Sequence, residues 1–340
     1  MKWNEFYQAL EAGDIAPVYL FTGPEEYVKR EAMAKLRQKL LPPGLEALND
    51  AVMEGVTAQQ IIDAAETMPM MCERRIVTVR DWAPLTSENA RNEAQEVDRM
   101  LKWLENPSPG CVLVFYMRQS ADARKKLTGA LRKKAVAVDF DALNDAELSK
   151  WCAKKLKGQR KRINARALSA LTFMAGRELT RLDGELDKLC AYLGDRDEIT
   201  EADVREIVSA SLEYKVFELM NHLLDGDMLK AQQTVNSLLQ GAQSPVGILA
   251  MLTRQIRQMT HIKCAQDAGE PLQAVQERLN MKPYPARQTA RQCAPLSQAW
   301  LRSLYDTSVA YDFAVKSGRM RDQDALNELM FRIALSLKSR

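Results

Sequence analysis

The segment Pro17–Arg30, PVYLFTGPEEYVKR, has the order of a nucleotide-binding turn. A short apolar run ends at Gly23 and a helical pattern follows, which is the strand, turn and helix in which a P-loop lies. A P-loop needs G-x-x-x-x-G-K-[ST], so that backbone N–H groups and a lysine can hold phosphates. Counted from Gly23, this chain has no second glycine, and Arg30 stands where Ser or Thr is required.

The residues around this turn also argue against ATP chemistry. Pro24 removes one N–H donor, and the carboxylates of Glu25 and Glu26 would repel a phosphate. The acidic pair that holds Mg²⁺ after a strand is reduced to Asp81, with Trp82 where a second acid is usual. No other catalytic or metal-binding motif occurs in the sequence. We therefore expect no intrinsic catalysis, no cofactor and no metal.

The composition indicates an ordinary globular protein. The 340 residues suffice for two or three domains, and 46% are hydrophobic and 27% charged. The net charge of +3 does not indicate a nucleic-acid partner, although local basic patches remain compatible with one. No apolar run approaches the roughly 18–20 residues of a membrane span, and the N-terminal segment lacks a signal-peptide core. We therefore expect a cytoplasmic protein with no membrane partner.

Apolar runs alternate with helical patterns over the first 140 residues. This alternation indicates βαβ units and a mainly parallel sheet that is covered on both faces. The predicted strands are Val18–Phe21, Ala51–Met53, Ile76–Val79, Val112–Tyr116 and Ala135–Phe140. The predicted helices between them are Tyr27–Leu41, Ala58–Glu66, Ala90–Leu104 and Ala123–Arg132.

After Asp141 the strands stop and only helical patterns remain. The first of these helices are predicted at Ala146–Leu156, Asn164–Ala175 and Leu179–Leu193, with a fourth capped by Thr200. Beyond Leu212, long helices joined by short breaks predict an antiparallel bundle, the part best suited to oligomerisation. The predicted domains are an α/β domain at 1–140, a small helical lid domain at 141–210 and an all-α bundle at 211–340.

The segment Thr67–Arg75 is the most suggestive one for binding a partner. Pro69 prevents the helix that ends at Glu66 from continuing, and the long side chains of Met70 and Met71 follow. Methionine is favoured at adaptable binding surfaces, and an exposed apolar pair after a helix could enter a partner's pocket. The pattern alone leaves the commoner alternative open, in which both side chains pack beneath the sheet.

Two clusters of basic residues could bind the phosphates of DNA. Arg118–Lys134 holds seven basic residues and one acidic residue, and Lys150–Arg166 holds eight basic residues and no acidic one. Such clusters neutralise phosphates and give salt-dependent binding, but a solvated helix face explains them equally well. The candidate nucleic-acid contacts are Lys154, Lys155, Lys157 and Arg160.

Six segments, taken in their order and spacing, resemble the delta-subunit family of the bacterial DNA polymerase III clamp loader. The resemblance spans essentially the whole chain. The segments are PVYLFTGPEEYVKRE, ETMPMMCERRIVTV, LTRLDGELDKLCAYLGDRDEITEADV, SPVGILAMLTRQIRQM, LNMKPYPARQTARQ and DFAVKSGRMRDQDALNELM.

The resemblance implies an AAA+-like α/β domain with a degenerate P-loop, followed by a helical lid and a C-terminal collar bundle. It implies a five-subunit loader in which other subunits hydrolyse ATP and this one binds and opens the ring-shaped sliding clamp. The implied partners are the clamp, the ATPase and delta-prime subunits, and primed DNA in the assembled complex, within a holoenzyme that has DNA-directed DNA polymerase activity.

The clamp-contacting pair of the family falls on Met70 and Met71, directly after Pro69. Many relatives carry a Leu–Phe or aromatic pair at this position. The resemblance therefore favours exposure of the two methionines over packing beneath the sheet.

Two other functions remain as alternatives. One is an autonomous NTPase or nucleic-acid remodelling enzyme of the same fold class, which would need the missing P-loop. The other is a DNA-binding adaptor that uses the basic clusters without any clamp.

Overall fold

The computed structural model describes residues 1–87 and 93–335. They form two compact units, Met1–Leu148 and Ser149–Arg340. The strands of the first unit are β1 Val18–Thr22, β2 Asp50–Glu54, β3 Arg75–Arg80, β4 Cys111–Tyr116 and β5 Val136–Asp139. Its helices are α1 Trp3–Ala12, α2 Glu26–Leu40, α3 Glu46–Asn49, α4 Ala58–Glu66, α5 Glu93–Trp103 and α6 Lys126–Lys134, and α7 Asp145–Gly158 crosses the boundary.

The five strands form one parallel sheet in the order β2-β3-β4-β1-β5. Every residue of β1 and β4 is buried, as a parallel sheet covered on both faces requires. The predicted parallel α/β fold is therefore confirmed. The predicted start of one helix at Ala90 lies outside the described residues, and α6 begins at Lys126 rather than at Ala123 because a turn closed by Asp122 and Lys125 precedes it.

The turn after β1 is held by the backbone of Phe140, which directly follows β5. The Phe140 N–H donates to the Thr22 carbonyl at 2.7 Å, and the Glu25 N–H donates to the Phe140 carbonyl at 3.0 Å. Gly23 has φ +118°, and a Cβ there would lie 2.3 Å from the Phe140 oxygen. The close approach of two backbone segments therefore explains the glycine, and phosphate binding is not needed to explain it.

The second unit is almost entirely helical. Its elements are β6 Arg162–Ile163, α8 Ala165–Ala175, α9 Leu179–Leu193, β7 Glu198–Ile199, α10 Glu201–Ile207, α11 Leu212–Leu224, α12 Met228–Gln240, α13 Pro245–Asp267, α14 Leu272–Leu279, α15 Pro283–Cys293, α16 Gln298–Lys316 and α17 Asp322–Leu335. The expectation that strands stop after Asp141 is wrong, because β6 and β7 pair in parallel. Two-residue strands are too short to leave an alternating pattern in a sequence.

The long helix α13 lies at the centre of the second unit and packs against α11, α14, α15, α16 and α17. The shorter helix α8 contacts α11 and α15, and the ring of Phe173 on α8 meets Tyr214, Phe217 and Tyr284. These aromatic contacts join the predicted lid and bundle inside one compact unit. The three-domain division therefore stays a prediction. Among the described residues, every helix is too short or too polar to cross a membrane.

Replacing Gly23 by Ala should destabilise the first unit by about 2–5 kcal/mol, because the new methyl group meets the Phe140 carbonyl and φ is positive. The matched control is Gly129→Ala in α6, where a Cβ meets nothing within 4 Å. That change should stabilise the protein by about 0.5–1 kcal/mol through helix propensity. Urea unfolding measures both, and equal midpoints for the two variants would contradict the assignment.

Candidate functional site

Lys29 stands at the position of the P-loop lysine, but its ammonium group is engaged by other groups of the same protein. The side chain is fully buried, and Nζ donates to the carbonyls of Met117 at 2.6 Å and Arg118 at 3.0 Å. Glu26 Oε2 lies 3.1 Å from the same nitrogen, and the Tyr116 hydroxyl donates to the other oxygen of Glu26 at 2.6 Å. Burial lowers the pKa of Lys29, although the Glu26 carboxylate opposes that shift. This lysine is not available to a phosphate.

Asp81, at the position of the metal-binding acid, holds an arginine. Its carboxylate accepts from the Arg118 backbone N–H at 2.8 Å and lies 2.6 Å from Arg118 Nε. The same arginine also contacts Glu54 at 2.6 Å. Trp82 is buried, and its indole N–H donates to the Val56 carbonyl at 2.8 Å. The end of β3 therefore presents a closed polar network in place of a pair of carboxylates.

Within residues 1–87 and 93–335, no group of three or more His, Cys, Asp or Glu side chains is placed to hold a metal. All six cysteines are free thiols. Burial raises the pKa of Cys111 and Cys152 to about 12, so both remain protonated at neutral pH.

The loop between α4 and β3 carries an exposed apolar cluster. Met70 is 54% exposed and Met71 is 84% exposed, so the alternative in which they pack beneath the sheet is wrong. Met68, which the sequence did not single out, is 82% exposed and belongs to the same cluster. Pro69 between them is half-buried, and a Cβ built on Gly110 would lie 3.3 Å from its ring. We call Met68, Met70 and Met71 the methionine cluster.

The backbone of this loop is fixed although its side chains face solvent. The Met70 N–H donates to Asn49 Oδ1 at 2.7 Å, and Asn49 Nδ2 donates back to the Met70 carbonyl at 2.9 Å. Met71 has φ +57°, a conformation that costs a non-glycine residue about 1–2 kcal/mol. The surrounding structure therefore holds the loop in a shape that its own sequence does not prefer.

The structure separates Lys155 from the other predicted nucleic-acid contacts. Its side chain is only 16% exposed, and Nζ pairs with Asp183 and, at 2.9 Å, with Asp187. Burial works against the charge, but the two carboxylates prevail and raise the pKa of Lys155. The bond to Lys155 in turn lowers the pKa of Asp187. This lysine stabilises the contact between α7 and α9 and is largely hidden from a nucleic acid.

Lys154, Lys157 and Arg160 remain exposed. Among the described residues, no ion pair engages them. Lys150, Lys154 and Lys157 follow one another at i, i+4 and i+7 of α7, which places them on one stripe of the helix. Arg160 lies just beyond the end of the helix with φ +55°. We call these four residues the α7 basic stripe.

The other basic cluster, Arg118–Lys134, is largely neutralised by the protein's own acids. Six of its seven basic residues form ion pairs, in which their partners lie on neighbouring parts of the first unit. The pairs are Arg118 with Glu54 and Asp81, Arg124 with Asp122, Lys125 with Glu93, Lys126 with Asp98, Arg132 with Asp139, and Lys134 with Glu105. For this cluster the interpretation as a solvated, paired surface is the better one.

Comparison with known families and proteins gives one consistent result. The family model described as "DNA polymerase III, delta subunit" matches residues 19–141, and "DNA polymerase III delta subunit, C-terminal domain" matches residues 213–333. The DNA polymerase III subunit delta of Bacillus subtilis is 29% identical over 329 residues, covering 96% of this chain and 94% of that protein. A probable delta subunit of Aquifex aeolicus is 23% identical over 275 residues, covering 78% and 76%.

A solved structure has the same fold over the whole chain. The DNA clamp loader delta protein of Bacillus subtilis superposes with a TM-score of 0.58 and 28% identity, covering 98% of this chain and 99% of that one. Together with the strand order, this likeness confirms the predicted parallel α/β domain followed by a helical region.

Brief treatment of the folded chain with dilute hydrogen peroxide should oxidise Met68 and Met71 first and Met70 next. Sulfoxide formation follows exposure of the thioether, and Met100 and Met259 are fully buried. Peptide mass spectrometry at successive times measures the order, with the two buried methionines as internal controls. Equal rates for Met71 and Met100 would contradict the exposed position of the loop.

Proposed function

Because the chain belongs to the delta-subunit family of DNA polymerase III, we propose that it binds and opens the ring-shaped sliding clamp and does not hydrolyse ATP itself. It is a replication clamp-loader subunit, a non-catalytic part of the holoenzyme, with the clamp as its partner. The observation that carries the proposal is the exposed Met70–Met71 pair on a loop with a fixed backbone. The proposed complex acts in the cytoplasm and supports DNA-directed DNA polymerase activity.

Pro69, Met70 and Met71 form the proposed clamp-binding element. The two thioether side chains enter an apolar pocket of the clamp and gain free energy by leaving water. The ring opens because the element binds the opened clamp more tightly than the closed one, which shifts the equilibrium between them. ATP bound by the partner subunits controls when the element can reach the clamp.

The absence of ATP hydrolysis is supported by the two groups that a P-loop enzyme would use. Lys29 is engaged by two carbonyls and a carboxylate, and Asp81 is engaged by Arg118. Binding a nucleotide would require breaking both sets of contacts and placing phosphates beside Glu25 and Glu26. These contacts argue against an autonomous NTPase.

The ATPase and delta-prime subunits are the proposed neighbours in a closed collar. Exposed apolar side chains on the last two helices support this assignment, with Val309 and Phe313 at i and i+4 on α16 and Phe331 on α17. Exposed apolar side chains at helical spacing are typical of a surface that another protein covers.

The α7 basic stripe is the proposed contact with primed DNA in the assembled loader. We keep Lys154, Lys157 and Arg160 as proposed DNA contacts. We exclude Lys155, because its ammonium group pairs with two carboxylates of the same protein. The stripe also keeps the DNA-binding adaptor as a second candidate, since exposed lysines at helical spacing can neutralise phosphates. The adaptor function would require duplex binding by the isolated chain, without other subunits.

The double variant Met70→Ala/Met71→Ala should bind the sliding clamp more weakly by about 2 kcal/mol or more, roughly thirty-fold in Kd, because the buried thioether groups are removed. Surface plasmon resonance with immobilised clamp measures the change. Leu229→Ala, at another exposed apolar side chain, is the matched control and should bind like the wild type. Unchanged affinity of the folded double variant would rule out the assignment.

In the assembled loader, Lys154→Ala/Lys157→Ala should weaken the binding of primed DNA. The slope of log K against log[salt] should become shallower by about 2, because two phosphate contacts are lost. The control is Lys126→Ala/Lys134→Ala, which removes the same charge from the ion-paired cluster. Fluorescence anisotropy at several salt concentrations gives both slopes. Equal changes in the two variants would show an effect of net charge only and would exclude a specific contact.

A further inference from the structure

Asn49 is a buried side chain that links two distant parts of the first unit. It is the last residue of α3, it is fully buried, and it lies 21 residues before Met70 in the chain. Its amide makes two hydrogen bonds to Met70 and a third to the Leu45 carbonyl at 3.1 Å. Buried amides are costly unless their donors and acceptors are satisfied, so this one is tied to the position of Met70.

The two bonds to Met70 have opposite polarity. Asn49 Oδ1 accepts from the Met70 N–H, and Nδ2 donates to the Met70 carbonyl. Only one orientation of the amide satisfies both partners, so the pair fixes the peptide groups on both sides of the Met70 Cα. Because the backbone is fixed there, the directions in which the side chains of Met70 and Met71 leave the loop are also restricted.

The exit of the loop is tied as well. Arg74 donates to the Ile15 carbonyl at 3.1 Å, and the Cys72 thiol donates to the Arg74 carbonyl at 3.3 Å. Pro69 limits the backbone at the entrance of the loop, and Arg74 is tied at its exit. Asn49 holds the segment between them, in which Met71 adopts its positive φ. A loop held in its binding conformation loses less entropy when a partner takes it up.

We infer that Asn49 is a positioning residue for clamp binding, which acts by holding Met70 and Met71 in the conformation that the clamp's pocket accepts. This inference rests on the proposed function. Because the Asn49 side chain is fully buried, its loss should act through the methionines and not as a separate contact with the clamp.

The test compares Asn49→Ala with Asn164→Ala in the full chain. Asn164 caps α8 by accepting from the Ala167 N–H at 2.9 Å, so both variants lose a structural amide, but only one loses the link to the loop. Asn49→Ala should weaken clamp binding about ten-fold, because ordering of the loop is then added to the cost of binding. Asn164→Ala should bind like the wild type.

Two further measurements separate positioning from general loss of structure. Hydrogen exchange of the Met70 amide should become faster in Asn49→Ala and stay slow in Asn164→Ala. In the Met70→Ala/Met71→Ala background, Asn49→Ala should cause no further loss of affinity, since its effect passes through the missing side chains. If Asn49→Ala does not fold, Asn49→Leu has the same branching without the hydrogen bonds and gives the same expectations.

The outcomes distinguish the two proposals. Wild-type affinity of Asn49→Ala, together with weak binding by Met70→Ala/Met71→Ala, overturns the inference and leaves the proposed function in place. An additive loss in the triple variant also overturns the inference. Wild-type affinity of Met70→Ala/Met71→Ala overturns the proposed function, and the role of Asn49 falls with it.

Discussion

A buried ammonium group needs oxygen partners, and the carbonyls just beyond β4 supply them to Lys29. The contact ties α2, which begins after the Gly23 turn, to the centre of the sheet. In an ATPase the P-loop lysine binds a phosphate, whereas here two backbone carbonyls of the protein accept the hydrogen bonds of Lys29. The strand, turn and helix thus keep their shape without a ligand, and the proposed clamp-binding element lies on a different loop of the same sheet.

Much of the fold follows from the sequence because each element leaves a local signal. The central strands β1, β3 and β4 are nearly continuous apolar runs because both faces of the sheet are covered there. The shorter apolar runs of the edge strands β2 and β5 also mark their positions in the sequence. β6 and β7 left no signal, since two residues cannot show a period. The contacts of Phe173 with three rings on other helices also depend on tertiary packing, so the sequence could not reveal that the lid and the bundle share one compact unit.

The site was only partly accessible to sequence reasoning. Pro69 and the family resemblance indicated where Met70 and Met71 lie, but methionine is common both in cores and on binding surfaces, so the pattern could not decide their exposure. Lys154 and Lys155 are neighbours in sequence, yet the rotation of a helix by about 100° per residue turns only Lys155 towards Asp183 and Asp187. The link from Asn49 to Met70 joins distant residues and has no local pattern.

The bonding of Met70 has a consequence for solubility. An extended apolar segment beside a sheet usually offers unpaired N–H and C=O groups, to which a strand of another molecule can add. Here the Asn49 amide already saturates both backbone groups of Met70, much as a neighbouring strand would. The loop can therefore expose its methionine side chains to a partner while giving other copies of the chain no backbone edge at Met70 on which to aggregate.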